Sequence, residues 1–275
     1  MGFYAARACA VKMEASRQDR LIILHYHLFK NAGSSVDEIL KRNISGSRGR
    51  RALKRIGAGI LKRDYPERWV TAEFPSNQGN NTPLVEEWLR DNPSAVAFSS
   101  HSMQGPIPRI EGAHVVSLML FRDPIYRIRS AYLFDRLLCH DLAKDCHSIK
   151  SYVLKRLAIP RDRQCRNFQT QRLARLMPGP EPELDRAKTA LDLLSVAGRV
   201  EAFGEVMARL AYSLSDYLPN FVWYDFRANA SRRYGADMEL DEETKALLRR
   251  ENALDYELLQ TLAMHKRHSA EIAKS

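Results

Sequence analysis

The chain has 275 residues, 45% of them apolar and 28% charged, and carries a formal net charge of +10. This composition suits a globular protein built as one large α/β domain or two small ones. It excludes a membrane-spanning helix, since no apolar run approaches the roughly 18 residues that need one. Residues 1–20 read as an N-terminal extension. Arg7, Lys12 and Glu14 stand where a signal peptide has its apolar core, and Ala6 breaks the myristoylation pattern, so a cytoplasmic protein is expected.

Residues 21–275 read as a single α/β domain with a parallel sheet flanked by helices and helical additions in its C-terminal half. The apolar run Leu21 to Phe29 predicts a buried strand, with His25 and His27 on one face in a structural role. A small-residue turn, Lys30-Asn31-Ala32-Gly33-Ser34-Ser35, leads into a helix over 35–41. Residues 42–63 form a basic, glycine-containing excursion that reads as a solvated face. A short strand is expected within 67–74, a helix over 83–91, and a short buried strand over 95–99 that ends at Ser99-Ser100-His101. The run 114–121 is nearly all apolar, as in a parallel sheet covered on both faces.

Asp123-Pro124 then fits an N-cap and first turn, opening a helix over 125–138. Residues 151–215 are mainly helical, with a short apolar piece at 200–203 and a helix over 208–217. An edge strand is expected at 222–226, a basic loop at 229–237, and one long helix over 241–273 capped by Asp241-x-x-Thr244. The pairs Cys139-His140 and Cys146-His147 lie seven positions apart but match no common zinc-ligand spacing, so no metal is expected.

Two segments carry chemistry. The turn after the first strand places a lysine and small residues at a helix start, where backbone N–H groups and the helix dipole favour an anion. It is not a Walker A loop, because Lys30 precedes Gly33 and there is a single glycine; a plain strand–helix corner fits the same residues. In Arg122-Asp123-Pro124-x-x-Arg127-x-x-Ser130-x-Tyr132, a strand-end arginine and a helix serine are spaced to converge on one phosphate, although Arg122 paired with Asp123 is the simpler reading of the tripeptide alone. His101, after a short strand, falls at the C-terminal edge of the sheet, where a general base is useful.

Together the segments resemble the sulfotransferases that use 3′-phosphoadenosine 5′-phosphosulfate, most closely the carbohydrate (type 2, heparan 2-O-like) branch and its soluble bacterial-type members. The 30–35 turn resembles the family's 5′-phosphosulfate loop and the 122–132 segment its 3′-phosphate motif. Phe203-Gly204-Glu205 and Asn252-Ala253-Leu254-Asp255 resemble its later motifs, so the likeness covers about 21–262. Phe29 stands where the family has proline, and Asn31 where it has threonine or cysteine.

The resemblance implies sulfuryl transfer to an acceptor hydroxyl on a carbohydrate or glycolipid. Lys30 would act at the leaving oxygen and His101 as base. Asn31, Ala32, Gly33, Ser34 and Ser35 would hold the 5′-phosphosulfate, Arg122 and Ser130 the 3′-phosphate, and Arg232 and Arg233 would close over the nucleotide. Gln169, Thr170 and Arg172 would lie on the acceptor side. The rival classes are a non-catalytic nucleotide- or polyanion-binding module and a small-molecule kinase of related topology. No nucleic-acid motif is present, and the basic surface adds peripheral membrane contact as an option.

Overall fold

The structure is a computed structural model that describes residues 19–44, 69–71, 73–74, 79–138, 140–224 and 240–272. Strand β1 (Arg20–Tyr26) starts one residue inside the expected extension. It is followed by α1 (Gly33–Ile44), β2 (Trp69–Thr71), α2 (Thr82–Asp91), β3 (Ala97–Ser100) and β4 (Ala113–Phe121). Next come α3 (Pro124–Leu137), α4 (Asp141–Lys144), α5 (Ile149–Ala158), α6 (Phe168–Ala174) and α7 (Glu183–Leu193). Strand β5 (Val196–Arg199), α8 (Phe203–Ser213), α9 (Glu242–Glu251) and α10 (Ala253–Ile272) complete the order. Among the described residues, no helix is long and apolar enough to cross a membrane.

The strands form one parallel sheet in the order β2-β3-β1-β4-β5. Alternation along β1 divides the core. Ile22, Leu24 and Tyr26 pack with α2, α6, α7 and α10, while Leu21 and Ile23 pack with α1 and α8. Ile22, Ile23 and Leu24 are fully buried, each worth about 1.5–3 kcal/mol. A third cluster, around Ile128, Tyr132, Tyr152 and Leu248, joins α3, α4, α5 and α9 at the edge of the fold.

Several expectations shift. The first helix is longer than 35–41. The apolar piece at 200–203 is a 3-10 turn running into α8, so the helix expected over 208–217 starts at Phe203, and β5 just before it was not expected. A four-residue strand with an internal glycine has little local signal. A Cβ on Gly198 would stand 2.2 Å from the Val206 side chain, so tight packing of α8 requires that glycine. Residues 222–224 are irregular rather than strand, and 225–226 lie outside the described residues. The long C-terminal helix is two helices. Buried Asn252 breaks it by donating its amide to Leu248 O (2.9 Å) and Cys165 O (2.9 Å). The Asp241 cap is as expected, with its carboxylate accepting from Thr244 N–H (2.6 Å).

The strand order positions the site. The connection leaving β1 runs to one side of the sheet, toward β2, and the one leaving β4 runs to the other, toward β5. Neighbouring β1 and β4 therefore open a crevice at their C-terminal ends, where open α/β sheets take ligands.

Candidate functional site

The loop from β1 to α1 lies in that crevice. Lys30 (φ 65°) and Ala32 (φ 60°) both adopt left-handed backbone, at about 1–2 kcal/mol each for residues with a Cβ. Asn31 between them secures the turn. It is buried, its N–H donates to Leu28 O (3.2 Å), and its amide donates to Leu120 O and Gln169 Oε1 (both 2.8 Å). The first helical bonds run from Ser35 and Val36 N–H to Ala32 O, so the N–H groups of Gly33 and Ser34 precede the ladder, as an anion site requires. Ser34 is exposed and Ser35 buried. Two expectations are thereby corrected. Asn31 and Ser35 are buried, Asn31 holding the loop through its amide N–H groups, while Ser34 is exposed.

Arg122 arrives at the same loop from the end of β4, its Nη1 donating to Lys30 O (3.1 Å) across 92 positions of sequence. Burial, then Arg122, lower the pKa of the Lys30 ammonium, and Asp135 opposes them. The ammonium lies 4.2 Å from the centre of the Phe134 ring on α3. Ser130 lies one helical turn before Phe134 and is partly exposed, so it belongs to the stripe on which Lys30 rests. The Asp123 cap is present, accepting from Tyr126 N–H (3.1 Å). Arg127 is fully buried against Phe168 and Gln164 and anchors α3.

Gln169 and Thr170 are completely buried, which corrects their acceptor-side assignment. Gln169 is a strut: its Oε1 accepts from Arg122 N–H (2.7 Å) and its Nε2 donates to Arg122 O (2.8 Å), while the same Oε1 takes the Asn31 amide. The strut is held by reciprocal capping of two helices. Asp255 of α10 accepts from Gln169 N–H (3.2 Å), Thr170 N–H (2.7 Å) and Thr170 Oγ1 (2.7 Å) at the start of α6. Asn167 before α6 accepts from Leu254 N–H (3.0 Å) and Asp255 N–H (3.4 Å) at the start of α10. Asp255→Ala leaves these buried donors without an acceptor and is expected to cost about 3–5 kcal/mol in urea unfolding. A Leu substitution at exposed Tyr212 is the neutral control.

His101 sits across the crevice after β3. It is exposed, its N–H donates to Glu73 Oε1 (3.1 Å), and its Nδ1 lies 2.9 Å from the carbonyl oxygen of His27. A carbonyl only accepts, so Nδ1 carries the proton and Nε2 keeps the lone pair in the neutral ring. Burial and neighbouring His27 hold His101 below the ordinary imidazole value. Arg172 donates to the backbone carbonyls of His101 and Met103 (the latter 3.3 Å), so it braces the His101 loop rather than opening toward an acceptor. Phe29 is half-buried between the two sides, edge-on to His101 (6.5 Å) and to Phe134 (5.4 Å).

Beneath His101 lies a group the sequence placed only as structural. Asp37 of α1 bridges His25 Nδ1 (2.7 Å) and His27 Nδ1 (3.0 Å), and the His27 ring lies 3.8 Å from that of His101. The two strand histidines share a face, as alternation predicts. The signal for their partner was an aspartate one turn into the next helix. His25, His27 and Asp37 offer ligand atoms within 4.8 Å of one another, and Asp37 engages the Nδ1 atom of each ring. Cys146 is buried in the third core cluster and His147 is exposed; Cys139 lies outside the described residues, as do Arg232, Arg233 and 45–63.

Fold and crevice define the class: a P-loop-like parallel α/β protein with a lysine loop and an arginine meeting at the switch point. No protein-family model matches the chain. It is 32% identical over 241 residues to a protein of Archaeoglobus fulgidus named as an uncharacterized protein, with 83% of this chain and 86% of that one covered, and it belongs to the same family.

Proposed function

We propose that the chain is a sulfotransferase that moves a sulfuryl group from 3′-phosphoadenosine 5′-phosphosulfate to an acceptor hydroxyl, on a carbohydrate or glycolipid. The observation that carries this reading is the meeting of the Lys30 loop with Arg122 (3.1 Å) opposite His101 on the neighbouring strand's end. The Arg122 charge lowers the Lys30 pKa, and an anion bound between the two cations would relieve that repulsion. The N–H groups of Gly33 and Ser34, the Ser34 hydroxyl and Lys30 fit a 5′-phosphosulfate; Arg122 and Ser130 are the candidates for the 3′-phosphate.

The donor, when bound, supplies an activated sulfuryl group. Lys30 then neutralises charge on the leaving phosphate oxygen, and His101 Nε2 receives the proton of the acceptor hydroxyl. Phe29 offers an apolar face between these groups, which suits the C–H face of a sugar ring. A net charge of +10 favours an acidic acceptor. His101, exposed at the crevice with Nε2 as its accepting nitrogen, favours the enzyme reading over a binding module, which has no use for a base there.

Titration calorimetry with 3′-phosphoadenosine 5′-phosphate and with ATP tests the donor. Binding of the former at least tenfold tighter is expected, because only it presents a 3′-phosphate to Arg122 and Ser130. Equal affinities would sink the assignment.

A further inference from the structure

His25, His27 and Asp37 have no task in the transfer reading, yet they lie directly under its base. Asp37 accepts from both Nδ1 atoms, so each neutral ring carries its proton there and points Nε2 elsewhere. Burial alone would raise the Asp37 carboxyl. The charges and hydrogen bonds of His25 and His27 outweigh it and hold the group well below the usual carboxylate range, so it is an anion at neutral pH. The His27 ring is clamped between two parts of the site. On one side a Cβ at Gly33 would stand 1.9 Å from Cδ2 and 2.0 Å from Nε2, so only glycine lets the ring pack against the start of α1. On the other side is the His101 ring, whose Nδ1–H the His27 carbonyl accepts.

We propose that His27 and Asp37 are positioning residues for His101: the His27 carbonyl fixes its proton on Nδ1 and leaves Nε2 as the accepting nitrogen, and the Asp37 carboxylate, held behind the His27 ring, balances the imidazolium that forms there. The proposal rests on the reading of His101 as the base. One proton passes from the acceptor hydroxyl to Nε2, and none passes on to Asp37. The charged His101 ring then lies against a ring hydrogen-bonded to a carboxylate. Glu73, accepting from the His101 backbone N–H, is the other negative group beside it, and the opposing ones are His27 itself and Arg172, which donates to the His101 carbonyl. Because the same His27 ring packs on Gly33, displacement of the Lys30 loop and displacement of His101 pass through one side chain.

The test is a long-range ¹H–¹⁵N spectrum of the full chain labelled at histidine and titrated with pH, with His101→Ala for assignment. Wild-type His101 is expected as the Nδ1–H form. In Asp37→Asn its proton affinity is expected to fall about tenfold, so the midpoint moves about one pH unit lower. Asp37→Glu, which keeps the charge, is expected to restore most of the loss. A His101 protonated on Nε2 in the wild type overturns the proposal whether or not the variants fold, and so does an unmoved midpoint in folded Asp37→Asn. Binding of 3′-phosphoadenosine 5′-phosphate on the same samples keeps the two readings apart: its failure removes the donor assignment and leaves the histidine spectrum to decide this one.

Discussion

Lys30→Ala is expected to lower turnover by about 10²–10³-fold, the usual cost of removing one preorganised donor at a site of developing charge. The fold should survive. The side chain is half-exposed, and its contact with the Phe134 ring is worth about 0.5–1 kcal/mol. Alanine can also keep the left-handed backbone at position 30, because the loop is secured by Asn31 and Arg122 rather than by the lysine side chain. The predicted signature is therefore a split: a large loss of rate with a melting temperature within a few degrees of wild type. Transfer from labelled donor to an acceptor panel, with sulfate release to water as the acceptor-independent readout, measures the first. A rate within threefold of wild type removes Lys30 from the chemistry.

His101→Ala should cost about 10²–10⁴-fold, the range for a positioned general base. Its pH dependence gives a second handle. Burial and His27 hold the His101 pKa below the ordinary 6.5, so the ring is neutral and able to accept a proton above that depressed value. Activity is thus present at neutral pH and lost as pH falls below 6.5, through the folded-state pKa, and this acid limb should vanish in the variant's residual rate. Stability runs the same way. His27 is also depressed, chiefly by burial, so below pH 6.5 the unfolded chain binds more protons and the native state weakens. Wild-type rates with an unchanged acid limb would leave the phosphate loop standing without its base.

The site was partly legible in the sequence because its parts have local signatures. A buried strand followed by a small-residue turn and a helix reads as an anion cradle from residue types alone. Asp123-Pro124 announces a helix start through the cap bond to Tyr126 and the missing proline N–H. Gln169 was legible only through the family resemblance, which put it on the acceptor side. Its work is to hold Arg122 and Asn31, the latter 138 positions away, and the pairing follows from how α6 and α10 cap each other. Strand β5 was not legible because a short strand with an internal glycine takes its stability from β4 and α8, not from its own residues.

The sequence by itself determined the α/β class, the place of the lysine loop, the arginine at the end of β4 and the histidine after β3, since hydrophobic period, caps and turns are properties of neighbouring residues. Only the tertiary structure decided that Arg122 reaches the Lys30 carbonyl, that Gln169 and Thr170 face inward, and that His27 links Asp37 to His101. Buried polar groups must find partners wherever the closed chain brings them, and no local pattern records which partner that will be.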